Sequence, residues 1–193
     1  MQTQYTKFKS SDDVDLWYKA YKSYFPSDND NDKDFLKAIN FYTGSANTLV
    51  NRALRYDITM LDGDYMQSIF QRMIDKLPTY HIPNNIIVYR YISKGLLKEM
   101  CPSSPPKTGM IMHDKGFMST TLIRKSMDEH RQSDLSLKIL LEIYVPTGTS
   151  GTYVGHMKNM LGEYEVILAP NTQLCIDYKF PFCNRYFHCT VVN

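Results

Sequence analysis

At 193 residues, with 43% hydrophobic and 22% charged side chains, the chain has the length of one domain and the composition of a folded one, which excludes wholesale disorder. A net charge of +2 is too small to make nucleic acid or an anionic membrane surface the main partner. No stretch approaches the ~18 apolar residues of a membrane-crossing helix, and the opening MQTQYTKFKSSDD lacks the apolar run of a secretory signal.

The chain begins as helices. In residues 12–25, Val14, Leu16, Trp17, Tyr21 and Phe25 recur near the helical period, with Ser11 as candidate N-cap. A polar, turn-rich run follows. Phe35, Leu36, Ile39 and Tyr42 then make a second stripe, predicted to stop at Gly44. Ser45 is placed to cap a third helix that buries Leu49, Val50, Ala53 and Leu54. The fourth spans residues 64–77, carries Tyr65, Met66, Ile69, Phe70, Met73 and Ile74, and ends at Pro78.

Beyond His81 the pattern changes to strands. Asn84-Asn85 reads as a turn before IIVYRYI, a β-rich run. Residues 101–107 form a proline-rich loop, 117–122 a short strand, and 125–136 a polar loop or loose helix. Leu137, Ile139, Leu141, Ile143 and Val145 alternate cleanly until Pro146-Thr147-Gly148. Residues 163–169, 173–178 and 186–192 are further strands. Helices first and strands after predict an α+β fold in a single domain, with residues 1–80 mainly helical and 81–193 mainly strands. Of the cysteines, Cys175, Cys183 and Cys189 lie with His188 in the tail. Their spacing matches no common zinc site, and adjacent His188 and Cys189 would face opposite sides of a strand, so no metal is expected.

Three short motifs stand out. Arg90 interrupts an apolar strand, and a buried charge must meet a partner; a solvent face or a structural carboxylate explains it as well as a ligand does. Gly116-Phe117-Met118-Ser119-Thr120-Thr121-Leu122 lines up three hydroxyls, a common β pattern. Gly162-Glu163-Tyr164-Glu165-Val166-Ile167-Leu168 puts two acids on one face if the strand runs throughout. A solvated edge could carry them. The continuation into core residues favours chemistry at the mouth of a buried strand.

In that order, Arg90, Ser119-Thr120-Thr121 and Glu163-x-Glu165 resemble the Arg–Ser–Glu class of mono-ADP-ribosyltransferases. That class includes the actin-modifying binary toxins, the C3-like exoenzymes and the vertebrate arginine-specific ecto-enzymes. Thr121 stands where Ser is usual. Ala38-Ile39-Asn40-Phe41-Tyr42-Thr43-Gly44, followed by Asn51-Arg52-Ala53-Leu54-Arg55, is similar to the helical lead-in of these toxins, so the resemblance covers residues 35–180.

The resemblance implies N-terminal helices packed on two mainly antiparallel β-sheets, an NAD cleft between them, NAD as co-substrate and no metal. It assigns Glu165 to the positive charge that develops on the ribose as nicotinamide leaves. Glu163 would orient and deprotonate the acceptor, and Ser119 would hold Glu165. Thr121 would support the nicotinamide pocket, and Arg90 would grip the diphosphate or its adjoining ribose. Tyr42, Asn51 and Arg55 match cleft-lining positions, although Tyr42 reads equally as core and Arg55 as a helix-surface charge. Arg131, in the polar stretch 125–134, matches a phosphate contact. The glycines Gly148, Gly151, Gly155 and Gly162 suggest a mobile loop before the catalytic strand.

An acid at 163, where C3-like enzymes that modify asparagine carry Gln, implies an arginine acceptor. The expected acceptor is a host protein, actin first and a small GTPase second. Met160 departs from the aromatic residue of actin-directed toxins, and Tyr153 lies earlier in the loop as a substitute. A secreted or injected protein acting in the host cytosol, with a separate delivery component, completes the expectation. An NAD glycohydrolase on the same fold and a non-catalytic interaction domain remain as alternatives.

Overall fold

The computed structural model describes residues 4–27, 32–57, 64–102, 105–125, 138–157, 163–179 and 185–192. Helices α1 (Ser11–Tyr21), α2 (Lys33–Phe41), α3 (Asn47–Tyr56) and α4 (Asp64–Lys76) precede β1 (Ile86–Ile92) and α5 (Lys94–Met100). Strands β2 (Ile111–Asp114), β3 (Met118–Thr121), β4 (Ile139–Val145), β5 (Gly151–Tyr153), β6 (Glu165–Leu168), β7 (Thr172–Lys179) and β8 (Tyr186–Val192) follow. The α+β order is as expected.

The strands run in the order β2-β7-β8-β4-β1-β3-β6-β5, antiparallel except for β4 beside β8. Strand β1 pairs with β4 along its whole length but meets β3 only at Tyr89 opposite Thr121. The two expected sheets are therefore a five-stranded and a three-stranded part joined at one narrow seam. Both contribute to one buried cluster: Val88, Ile92, Leu141 and Ile143 come from the larger part, and Met118, Val166 and Leu168 from the smaller. The other face of the smaller part, through Phe117, Ile167 and Ala169, packs on Phe35, Ile39, Val50, Phe70 and Met73 of the helices. Each such fully buried side chain contributes about 2 kcal/mol, and this docks the helical stripes read in the sequence.

Local departures have local causes. The N-cap of α1 is Ser10, not Ser11, because the Asp13 carboxylate returns to the Ser10 amide while Ser10 accepts from the Asp13 amide. Gly44 does not stop the second helix. It lacks the positive φ of a C-terminal cap, and Tyr42–Ala46 forms one turn of π-helix that runs straight into α3, so Ser45 caps nothing. Strand β4 is buried on both faces: Leu140 packs with Ile87 and Tyr89 on the outer side, and the buried Glu142 there meets Tyr186 at 2.5 Å and Lys7 at 3.6 Å. The loop expected from Gly148 onward contains β5. A Cβ on Gly151 would lie 2.8 Å from the Ile167 carbonyl, so that glycine serves close strand packing rather than mobility. Strands β2 and β5 and helix α5 are absent from the sequence reading, and Leu137 lies outside the described residues.

Candidate active site

The seam between β1 and β3 opens a cleft of about 840 Å³. Asn51 and Arg55 from α3, Arg90 from β1, Ser119 and Thr121 from β3, and Glu163 and Glu165 at the entry to β6 all line it. Leu96 and Glu99 of α5 and its N-cap Ser93 also line it, and Tyr56 of α3 donates to Glu99 Oε1 at 2.7 Å.

Behind the cleft, Tyr42 organises the helical wall. Its ring is fully buried: the apolar stripe of α2 carries it into the core, directly behind Asn51 and Ser119, which line the cleft. Its hydroxyl donates to the Phe117 carbonyl at 3.3 Å and accepts from Asn51 Nδ2 at 3.0 Å and Ser119 Oγ at 3.1 Å. Burial pushes the phenol up, against the pull of Ser119, Arg90 and Asn51, so it remains a neutral donor. Asn51 is held from one side only. Its Oδ1 is buried and has no hydrogen-bond partner among the described residues.

A buried carboxylate that the sequence reading missed, Asp114, joins the two arginines. Arg55 grips it with both Nε (2.9 Å) and Nη2 (3.0 Å), and Arg90 Nη1 lies 3.3 Å away. Arg55 is thus an inward-turned cleft residue rather than a helix-surface charge. Gly116 permits this closeness. A Cβ there would stand 2.7 Å from Asn51 Oδ1 and 3.3 Å from Arg55 Nε.

The two acids are not on one strand face. Strand β6 begins at Glu165, Glu163 sits in the preceding turn, and Tyr164 between them has φ of 50°. A left-handed tyrosine is strained, and such strain persists where surroundings over-determine it. Here Thr121 Oγ1 donates to the Glu163 carbonyl (2.9 Å), the Leu122 amide to the Tyr164 carbonyl (3.1 Å) and the Val154 amide to the Glu165 carbonyl (2.9 Å). Glu165 ends up buried and Glu163 exposed at the rim. Ser119 opposes Ile167 in the ladder, one diagonal step from Glu165, which is within reach of a glutamate side chain. Arg131, Met160, Gly162 and Cys183 lie outside the described residues.

Residues 15–180 match the model of the ADP-ribosyltransferase exoenzyme family. A curated relative, NAD(+)--arginine ADP-ribosyltransferase EFV of Enterococcus faecalis, is 23% identical over 169 residues, which are 86% of this chain and 31% of that protein. The ADP-ribosylating toxin BECa of a binary enterotoxin of C. perfringens, solved with NADH, superposes with a TM-score of 0.75 at 18% identity over 98% of this chain and 50% of that one. C3stau2 of S. aureus, solved with NAD, superposes with a TM-score of 0.67 at 18% identity over 98% and 99% of the two chains. The chain therefore spans about a third of the Enterococcus protein and half of the enterotoxin component, and at these identities the structures share its fold. With the family model covering most of its length, the chain belongs to the ADP-ribosyltransferase exoenzyme family.

Proposed function

We propose that this chain is a single catalytic domain that cleaves NAD at the nicotinamide–ribose bond and transfers ADP-ribose to a protein arginine. The observation that carries the reading is the convergence of Arg55, Arg90, Ser119, Glu163 and Glu165 on one cleft, with one acid buried and the other at its rim. The cleft fits the co-substrate by three features: its volume is that of an ordinary ligand site, two guanidinia offer a match for a diphosphate, and the orphaned Asn51 Oδ1 awaits a donor.

The nicotinamide of NAD leaves from a cationic state, so the reaction needs no general acid. It needs a negative group beside the ribose as positive charge develops there, and the buried Glu165 is suited to that. Ser119, anchored through Tyr42, steadies this wall. Glu163 at the rim is suited to the incoming protein: a guanidinium is protonated at ordinary pH and must lose a proton as it attacks, so it requires a carboxylate that both holds it and accepts the proton. The arginine acceptor draws further support from the name of the Enterococcus relative. A host-cell protein is the acceptor in this reading, with actin tested first and a small GTPase second, after secretion or injection of the enzyme.

The test is incubation of the purified protein with biotin-labelled NAD and a eukaryotic lysate, with labelled proteins identified by mass spectrometry. ADP-ribose on an arginine of a discrete host protein is expected. The absence of both labelling and NAD consumption would overturn the enzyme reading, and NAD consumption without any labelled protein would favour a glycohydrolase.

A further inference from the structure

Asp114 closes β2 at the edge of the larger sheet part, and its side chain is 0% exposed. It does not line the cleft, yet donors from three segments converge on it. Oδ1 accepts from the Gly116 amide at 3.0 Å and from Arg55 Nε at 2.9 Å. Oδ2 accepts from Arg55 Nη2 at 3.0 Å and lies 3.3 Å from Arg90 Nη1. Desolvating a carboxylate is costly unless both oxygens are engaged, as they are here. One arginine with the Gly116 amide would already engage both oxygens. The second comes from β1, at the opposite edge of the same sheet part, and two guanidinia this close repel unless a shared anion lies between them. Together the three groups keep one net positive charge behind the cleft that Arg55 and Arg90 line.

We propose that Asp114 is a positioning residue that locks Arg55 and Arg90 into one preset cationic clamp for the NAD diphosphate, and so sets NAD affinity without touching NAD. The proposal rests on the NAD reading given above. A preset clamp spends no binding energy on bringing two like charges together, so losing its anchor should weaken ligands that carry a diphosphate and spare those that do not.

The experiment titrates the full chain calorimetrically with NAD and with ADP-ribose, and measures kcat, KM and inhibition by nicotinamide, for wild type, Asp114→Asn and Asp114→Glu. Asp114→Asn keeps the shape, removes the charge and turns an N–H donor toward a guanidinium. Its dissociation constants for NAD and ADP-ribose should rise together by about tenfold or more. Its nicotinamide inhibition constant and its kcat at saturating NAD should stay within about threefold, and Asp114→Glu should recover part of the loss. Should Asp114→Asn fail to fold, Arg55→Lys, Arg90→Lys and the double variant decide. Anchoring by a shared carboxylate makes the double loss in NAD affinity smaller than the product of the single losses, and a product equal to the double loss overturns the clamp. A folded Asp114→Asn with wild-type NAD affinity, or with nicotinamide inhibition weakened as much as NAD binding, overturns it too. Wild-type protein that binds neither NAD nor ADP-ribose overturns the NAD reading itself and the clamp with it.

Discussion

Replacing Tyr42 by phenylalanine removes a single buried oxygen and tests whether the helical wall positions the cleft. That oxygen donates to the Phe117 carbonyl and accepts from Asn51 and Ser119, all within 3.3 Å. Ser119 is half-buried and can turn to another acceptor, but the Phe117 carbonyl and the Asn51 amide are left without a partner. At ~1–3 kcal/mol for each buried group left unsatisfied, two such groups cost about 3 kcal/mol. For a chain of this size 1 kcal/mol moves the melting temperature by ~2–4 °C, so Tyr42→Phe should melt about 6–12 °C lower. Asn51 and Ser119 both lose their anchor, and a misplacement approaching 1 Å at a reacting centre costs up to ~100-fold, so kcat/KM for NAD should fall ~10–100-fold. Circular dichroism melting and steady-state NAD consumption read the two effects, with Tyr24→Phe, an exposed tyrosine, as control. A melting temperature within about 2 °C of wild type refutes the hydrogen-bond hub. A lower melting temperature with unchanged kcat/KM refutes the link from hub to cleft.

Gly116→Ala should raise KM for NAD at least ~10-fold, because the new methyl lies 2.7 Å from Asn51 Oδ1 and must displace Asn51 or Arg55; an unchanged KM would mean that the wall yields freely. Tyr164→Val and Tyr164→Asn both remove the ring, but only asparagine tolerates the 50° φ, so the valine variant should lose clearly more transferase activity, and equal losses would count against the strained turn. Burial would push the Asp32 carboxyl up, but Arg72, the Phe35 amide and Lys76 outweigh it and hold it at about 2. A carboxyl depressed in the folded state stabilises fully above its unfolded value of about 3.9, and that stabilisation disappears as pH falls through the folded value. Asp32→Asn keeps the N-cap of α2 but not the charge. Its melting deficit against wild type should therefore shrink as pH drops from about 4 to about 2, and a constant deficit across that window refutes the ion-pair account.

Much of this architecture was legible in the sequence where a period runs long enough to read. The stripe of Tyr65, Met66, Ile69, Phe70, Met73 and Ile74 marks α4, and IIVYRYI marks β1. Arg90, Ser119, Glu163 and Glu165 stand out in the sequence through their order and its resemblance to a family pattern, and the fold does bring them to one cleft. The geometry between them was not legible. Alternation predicts that Glu163 and Glu165 share a face, and no local signal announces a left-handed tyrosine, since that conformation is imposed by hydrogen bonds from Thr121, Leu122 and Val154. Asp114, in Met112-His113-Asp114-Lys115-Gly116, reads as an ordinary turn acid; its partners Arg55 and Arg90 lie far away in sequence, and only the fold makes it central. Tyr42 has two readings, core and cleft, and the structure buries its ring while its hydroxyl joins Asn51 and Ser119 of the cleft wall. Gly44 looked like a helix stop because glycine often is one, yet only a positive φ enforces it, and Gly44 has none.

The most direct test of the account separates the two acids. Wild type, Glu163→Gln and Glu165→Gln are compared for NAD hydrolysis and for ADP-ribose transfer to protein arginine in the same reaction. The account predicts that Glu165→Gln loses both activities by at least ~100-fold, whereas Glu163→Gln loses transfer and still hydrolyses NAD at a substantial fraction of the wild-type rate. Transfer to arginine that survives in Glu163→Gln, or hydrolysis that survives in Glu165→Gln, would contradict the assignment of the buried acid to the sugar and the exposed acid to the acceptor.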